Sequence, residues 1–284
     1  MVDNSVAYGS GYWGEHGFSV LIKSSDGLTL FDVGASEEVL MHNLKESGED
    51  LSDLRRIVIS HGHYDHTGGL ESILERYSKE ATKHNTKQVT KSDTKPELYI
   101  HSFAFDKKYS KKEKGYVERG MKVSREFVNE KSILKEVKEG IKIAEGMNLI
   151  TGIEQKCSFE NIDGNFYIKK GEDYIKDEFK DEISLVLESE GKRYVIVGCA
   201  HRGIVNILLN AQEKFGKVSG FVGGTHLANA KSNRLQNTIE ALSKLRLERA
   251  YLSHCSGLRA VNILSSNLEG CYVSQTSGGM VINL

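Results

Sequence analysis

The sequence predicts an α/β fold of two mixed β-sheets packed together and flanked by helices. Three observations point to it. Apolar hairpin patterns dominate the N-terminal part, strands alternate with helices in the C-terminal part, and a histidine-rich loop joins a β-branched run to a helix near residue 60.

The elements follow in order. Residues 18–23 and 28–32 are apolar runs around Ser24-Ser25-Asp26-Gly27, a turn signal that predicts a hairpin. Residues 37–47 read as a helix ended by Gly48, and Arg56-Ile57-Val58-Ile59 as a buried strand. After the loop, Leu70-Glu71-Ser72-Ile73-Leu74 opens a helix. Residues 78–95 are polar and read as an exposed insertion, and 97–101 as a core strand. Between 103 and 135 charges surround scattered aromatics, and Tyr109, Tyr116, Met121, Phe127 and Val128 are candidates for one face of a lid or small subdomain. Residues 140–152 and 166–168 suggest further strands. Residues 182–188 and 193–197, around Ser189-Glu190-Gly191-Lys192, form the clearest hairpin. Then come a helix at 205–215, a strand at 218–222, a helix at 234–245 and a strand at 249–253. Cys271-Tyr272-Val273 and residues 279–284 close the chain.

The chain has 284 residues, enough for a large core, and is read as one domain over 1–284 with the insertion and lid-like segment at about 78–135. Lysine and arginine total 38 against 39 aspartates and glutamates, for a net charge of −1. That balance argues against a nucleic-acid-coating or polybasic membrane protein. No apolar run reaches the ~20 residues of a membrane span, and residues 1–12 lack the pattern of a secretory signal. Cys157, Cys199, Cys255 and Cys271 make no disulfide framework in so long a chain, and Cys199 and Cys255 lie beside histidines. The expected compartment is the reducing cytoplasm. The expected partner is a small molecule, with oligomeric state left open.

The run Ser60-His61-Gly62-His63-Tyr64-Asp65-His66-Thr67-Gly68-Gly69 carries the chemistry. Three imidazoles and one carboxylate within six residues suit a divalent ion, Zn²⁺ first and Mn²⁺ or Fe²⁺ as alternatives. A loop between strand and helix lets such side chains converge while the metal stays open to substrate. One loop cannot complete two metal sites, so further ligands are expected on loops that follow other core strands. His201 and His254 each follow a predicted strand. His226, in Gly223-Gly224-Thr225-His226-Leu227, is a candidate general acid or phosphate contact, with paired glycines that permit close backbone approach. Arg202 is a candidate anion contact, and His16 is a candidate at the same rim, with His101 a weaker one. His42 and His84 read as surface residues.

His61-Gly62-His63-Tyr64-Asp65-His66 resembles the HxHxDH motif of the metallo-β-lactamase fold superfamily. Leu30-Phe31-Asp32-Val33-Gly34, residues 197–204, Gly223-Gly224-Thr225-His226-Leu227 and Leu252-Ser253-His254-Cys255-Ser256-Gly257 also resemble it. Together they resemble the subfamily named after the archaeal dihydropterin-ribofuranosylaminobenzene phosphate synthase. The resemblance implies a four-layer αββα sandwich with one or two metal ions. His61, His63 and His201 would hold one ion; Asp65, His66 and His254 would hold the other. Asp32 would brace the histidine loop. The sequence departs from the superfamily pattern in the second half. No histidine precedes the late hairpin, where Asp177, Asp181 and Glu182 lie, and Cys199 stands where an aspartate is usual. Cys199 is therefore either a thiolate ligand or a small buried residue, and Asp181 a carboxylate that fixes a ligand imidazole.

The implied leading activity is metal-dependent hydrolysis of a phosphate-bearing or ester-type small molecule, with Asp65, His226, Arg202 and His16 as catalytic or substrate-binding candidates. The alternative is a transferase that displaces diphosphate from a dihydropterin and joins it to a ribofuranosylaminobenzene phosphate. A third class, a non-catalytic metal-binding module, would also account for the departures around Cys199.

Overall fold

The structure is a computed structural model that describes residues 1–83 and 95–284. The chain divides into two compact units. The first comprises residues 1–137, 165–177 and 278–280; the second comprises 138–164, 178–277 and 281–284.

The first unit opens with the expected hairpin, β1 (Val20–Ser24) and β2 (Gly27–Phe31), then α1 (Glu37–Ser47) and β3 (Leu54–Val58). Ser36 caps α1 by accepting from the Val39 amide, and Gly48 ends it at φ +68°. The histidine loop includes the short helix α2 (Tyr64–Thr67) and leads into α3 (Leu70–Lys83). Leu70, Ile73, Leu74 and Tyr77 recur at helical spacing and join Leu40 and Leu44 of α1 in the core. Helix α3 thus runs past residue 78, where the sequence suggests a loop; the rest of that polar segment, with His84, lies outside the described residues. β4 (Glu97–Ile100), β5 (Lys108–Lys112), β6 (Gly115–Glu118), α4 (Arg125–Lys131) and β7 (Ile133–Glu136) follow. One sheet runs β1-β2-β3-β4-β7, antiparallel only between β1 and β2.

The chain then forms β8 (Ile141–Ala144) and β9 (Met147–Ile150) of the second unit, and returns to the first as β10 (Phe166–Lys170) and β11 (Asp173–Lys176). These last two complete a four-stranded antiparallel sheet, β11-β10-β5-β6. The aromatics of 103–135 do not share one face. Met121, Phe127 and Val128 pack on the core of the first unit. Tyr116 instead stacks on Tyr174 at 3.8 Å, with Tyr109 edge-on to the same ring. Lys108 of β5 is fully buried against Asp177 at 2.8 Å.

The second unit holds the predicted late hairpin, β12 (Ser184–Ser189) and β13 (Lys192–Val197). After it come α5 (Ile204–Phe215), β14 (Gly220–Gly224), α6 (Ser232–Leu245), β15 (Arg249–Ser253), α7 (Leu258–Asn267) and β16 (Tyr272–Gln275). Its sheet order is β16-β15-β14-β13-β12-β9-β8, with β13 through β16 parallel. Parallel neighbours deliver the loops after β13, β14 and β15 to one edge, the usual place for a site in such sheets. Residues 279–284 form no strand. Among the described residues, no helix is long and apolar enough to cross a membrane.

Helix α5 starts at Gly203 with no side-chain cap of its own. Glu160 supplies one from a distant loop. Its carboxylate accepts from the amides of Val205 (3.1 Å) and Asn206 (2.7 Å) and pairs with Arg234 at 3.0 Å. Burial raises the Glu160 carboxyl above its ordinary value, against the pull of Arg234 and the two amides. Glu160→Ala strips a buried acceptor from three donors, so a stability loss of about 2–4 kcal/mol is expected in urea unfolding. A loss under about 0.5 kcal/mol, the scale of a surface change, would show that this cap is dispensable.

Candidate metal centre

In the first unit, the parallel register sets Phe31 beside Val58, so Asp32 and Ser60 leave β2 and β3 as neighbours. Asp32 is fully buried. One of its oxygens accepts from the Ser60 amide at 2.7 Å; the other accepts from the Ser60 hydroxyl at 2.7 Å and meets His66 Nδ1 at 2.7 Å. Since Ser60 spends its proton on Asp32, His61 Nδ1, 2.9 Å from the same hydroxyl, is the donor there. Both rings are thereby held by Nδ1, which leaves Nε2 of His61 and of His66 carrying a lone pair.

His61 Nε2 and His63 Nδ1 lie 3.1 Å apart. Two nitrogens on one tetrahedral zinc ion, at ~2.0–2.1 Å each, stand about 3.3 Å from one another. The donor types and their spacing therefore fit a divalent ion. Gly62 is required by a close approach: a Cβ there would sit 2.0 Å from the Ala104 carbonyl oxygen. Asp65 is nearly buried, with one oxygen 3.4 Å from His16 Nε2 and 4.0 Å from His66 Nε2. His16 itself is exposed. His101 accepts from the Phe103 amide and caps a single turn, and His42 stacks on Trp13 at 3.9 Å.

In the second unit, Cys199 and His201 follow β13, His226 follows β14, and His254 and Cys255 follow β15. Cys199, His201 and His226 offer ligand atoms all within 4.8 Å of one another, as do Cys199, His254 and Cys255. The donors are borderline or soft, a set that suits Zn²⁺ or Co²⁺. Ala200, His226 and His254 take left-handed backbone (φ +50°, +53° and +47°), as do Asp32 (φ +57°) and Phe179 (φ +49°) in loops that brace site residues. Such strain in non-glycine residues gathers where surrounding structure forces a functional geometry.

Two residues that brace His201 were not identified as such by the sequence. Glu182 is buried; its two oxygens accept from the amides of His201 (2.7 Å) and Arg202 (2.8 Å). Burial raises its carboxyl to about 7 against those two bonds, with the Asp181 charge adding to the rise. Phe179 stacks on the His201 ring at 3.9 Å. Asp181 is fully buried beside Glu182. The Arg202 guanidinium donates to the carbonyls of Glu178 (3.0 Å) and Ile153 (2.8 Å), a bracing geometry. Gly223 and Gly224 bring strands together: Cβ atoms there would meet the Val197 oxygen at 2.0 Å and the Cys255 sulfur at 2.5 Å. Burial pushes the Cys255 thiol up, but hydrogen bonds with Cys199 and His226 and the nearby imidazoles hold it well below its ordinary value. Burial pushes His226 down, yet the Cys255 sulfur and the Asp163 and Glu182 charges leave it raised.

A family model, the Metallo-beta-lactamase superfamily, matches residues 12–136. The 7,8-dihydropterin-6-methyl-4-(β-D-ribofuranosyl)-aminobenzene-5′-phosphate synthase of Methanocaldococcus jannaschii is 29% identical over 279 residues, covering 95% of this chain and 90% of its own. The crystal structure of Tm1679, a metal-dependent hydrolase of the β-lactamase superfamily, is 30% identical with a TM-score of 0.80, covering 100% of this chain and 96% of its own. The metallo-β-lactamase fold protein YhfI of Bacillus subtilis shares the fold at 10% identity, with a TM-score of 0.58 over 98% of this chain and 96% of its own.

Proposed function

Because the chain belongs to the metallo-β-lactamase superfamily, we propose that it is a metal-dependent enzyme that joins a dihydropterin diphosphate to a ribofuranosylaminobenzene phosphate with loss of diphosphate. The observation that carries this reading is the similarity to the M. jannaschii synthase over nearly the full length of both chains. We read residues 1–284 as one catalytic domain acting on a phosphate-bearing small molecule in the cytoplasm, where its four thiols stay reduced.

In this reading His61, His63 and His201 hold one divalent ion and Asp65, His66 and His254 a second, Zn²⁺ first and Mn²⁺ or Fe²⁺ as alternatives. When bound, such ions supply positive charge that neutralises the oxygens of a departing diphosphate. The protein's own groups do the rest. Asp32 and Ser60 fix the ligand tautomers of His61 and His66. Glu182 and Phe179 hold His201 in place. His226, raised above its ordinary value by the Cys255 sulfur and the Asp163 and Glu182 charges against its burial, is the proton donor to the leaving oxygen. His16 steadies Asp65 from the exposed side.

A second reading, hydrolysis, draws on the relationship to Tm1679. There water takes the place of the arylamine. The test is to incubate the metal-loaded chain with a dihydropterin diphosphate, with and without the aminobenzene acceptor, beside phosphodiester and lactone substrates. Coupled product that forms only with acceptor is expected. Turnover of any of these substrates without acceptor would transfer the assignment to hydrolysis, and inertness towards all would sink both readings. For the ligands, His61→Ala, His63→Ala and His201→Ala should each lower bound metal at least tenfold at limiting metal. Near-wild-type metal content in any one of them removes that residue from the centre.

A further inference from the structure

Cys199 and Cys255 have no part in the ligand set above, yet both lie among the histidines of the second unit. Their sulfurs and one His254 nitrogen fall within 4.8 Å of one another. A sulfur and a second donor on one tetrahedral zinc ion stand about 3.5–3.8 Å apart, given Zn–S near 2.3 Å and Zn–N near 2.0 Å. The three atoms need little movement to share an ion. We propose that Cys199 and Cys255 bind a divalent ion as thiolates together with His254, so that the second unit carries a sulfur-containing metal site and His254 serves that ion instead of the one assigned above to Asp65 and His66. This rests on the metal-dependent reading and deepens it.

Three further observations support the site. The His226 backbone N–H points at the Cys255 sulfur at 3.2 Å, and amide donors on sulfur stabilise the charge of a ligating thiolate. Strand β14 leaves room for that sulfur, since a side chain at Gly224 would collide with it. The loop of His254 and Cys255 is tied to the loop that aims the His226 N–H: Ser256 Oγ accepts from the Thr225 amide at 3.0 Å and meets Thr225 Oγ1 at 3.0 Å. The competing account is that both cysteines merely fill small buried spaces. Thiolate ligands make a different demand, because each thiol gives up its proton on binding and the site then favours Zn²⁺ or Co²⁺ over Mn²⁺.

The test loads the metal-free full chain with Co²⁺ and records its absorption alongside metal content. A near-ultraviolet sulfur-to-cobalt charge-transfer band is expected in the unaltered protein, which needs no variant to interpret. The band should fall by about half in Cys199→Ser and in Cys255→Ser, vanish in the double variant, and persist in Cys157→Ser and Cys271→Ser. Among the described residues these last two cysteines belong to none of the candidate ligand groups. Stoichiometric cobalt without the band overturns the thiolate site while leaving the metal-dependent reading intact. A band that survives the double variant overturns it too. A chain that takes up no cobalt, zinc or manganese overturns both.

Discussion

Asp32→Ala is expected to cost the native state about 3–5 kcal/mol and to weaken metal binding about 10–100-fold. Asp32 is the only residue outside the histidine loop whose side chain meets both Ser60 and His66, all at 2.7 Å among the described residues. Removing the carboxylate leaves an amide, a hydroxyl and an imidazole N–H buried without it. It also places a residue with nothing to hold it at φ +57°. Freed of Asp32, the Ser60 hydroxyl can turn its proton towards His61, so both tautomers are lost together. Asp32→Asn separates the two effects. One amide oxygen still accepts from Ser60, and asparagine tolerates left-handed backbone. The other position becomes an NH₂ facing His66 Nδ1, which then presents the wrong tautomer. Stability should therefore fall less in the Asn variant than in the Ala variant, while metal affinity falls in both. Chemical unfolding of the metal-free protein and competitive metal titration measure the two. An Asn variant with unchanged affinity would show that Asp32 serves packing alone.

The first half of the candidate site was legible because its signals are local. Six consecutive positions carry four donors, Asp32 sits in a recognisable strand-Asp-x-Gly run, and glycine marks the close approach at Gly62. The second half was legible only as isolated histidines after strands. What braces them acts across distance: Glu182 reaches the His201 amide from 19 residues away, through backbone groups that no side-chain pattern advertises. Left-handed backbone at Ala200, His226 and His254 has no glycine to betray it. The same reasoning accounts for the fold. Strands β2, β3, β13 and β15 each contain a short apolar or β-branched stretch and were found. Of the four-stranded sheet only β10 was anticipated, from Phe166-Tyr167-Ile168; its partners β5, β6 and β11 were not, because they interleave tyrosine with charged residues, which reads as a solvated segment. Its one buried charge, Lys108, is explained only once Asp177 is seen beside it.

Glu182→Ala is expected to lower stability by about 2–4 kcal/mol and to release the His201 loop, with a drop in metal content at limiting metal. The carboxylate is buried and is the acceptor for two consecutive amides. Nothing apolar can replace it without leaving those donors unmet. Glu182→Gln keeps a carbonyl oxygen for one amide but turns an NH₂ towards the other, so it should lose less stability and less metal than Glu182→Ala while falling short of the unaltered chain. The pair also predicts a pH dependence in the metal-free protein. The carboxyl is raised to about 7 in the fold from its ordinary 4.5, so the native state holds the proton over a range where the unfolded chain has lost it. Its contribution is then fully present below about pH 4.5 and is lost as the pH rises through 7, by up to about 3 kcal/mol. Unfolding free energies measured from pH 4 to 8 should show that fall in the unaltered chain and a flatter profile in Glu182→Gln, which cannot titrate. Parallel profiles for the two proteins would place the ionisation of Glu182 outside this window and leave its two amide bonds as its whole contribution.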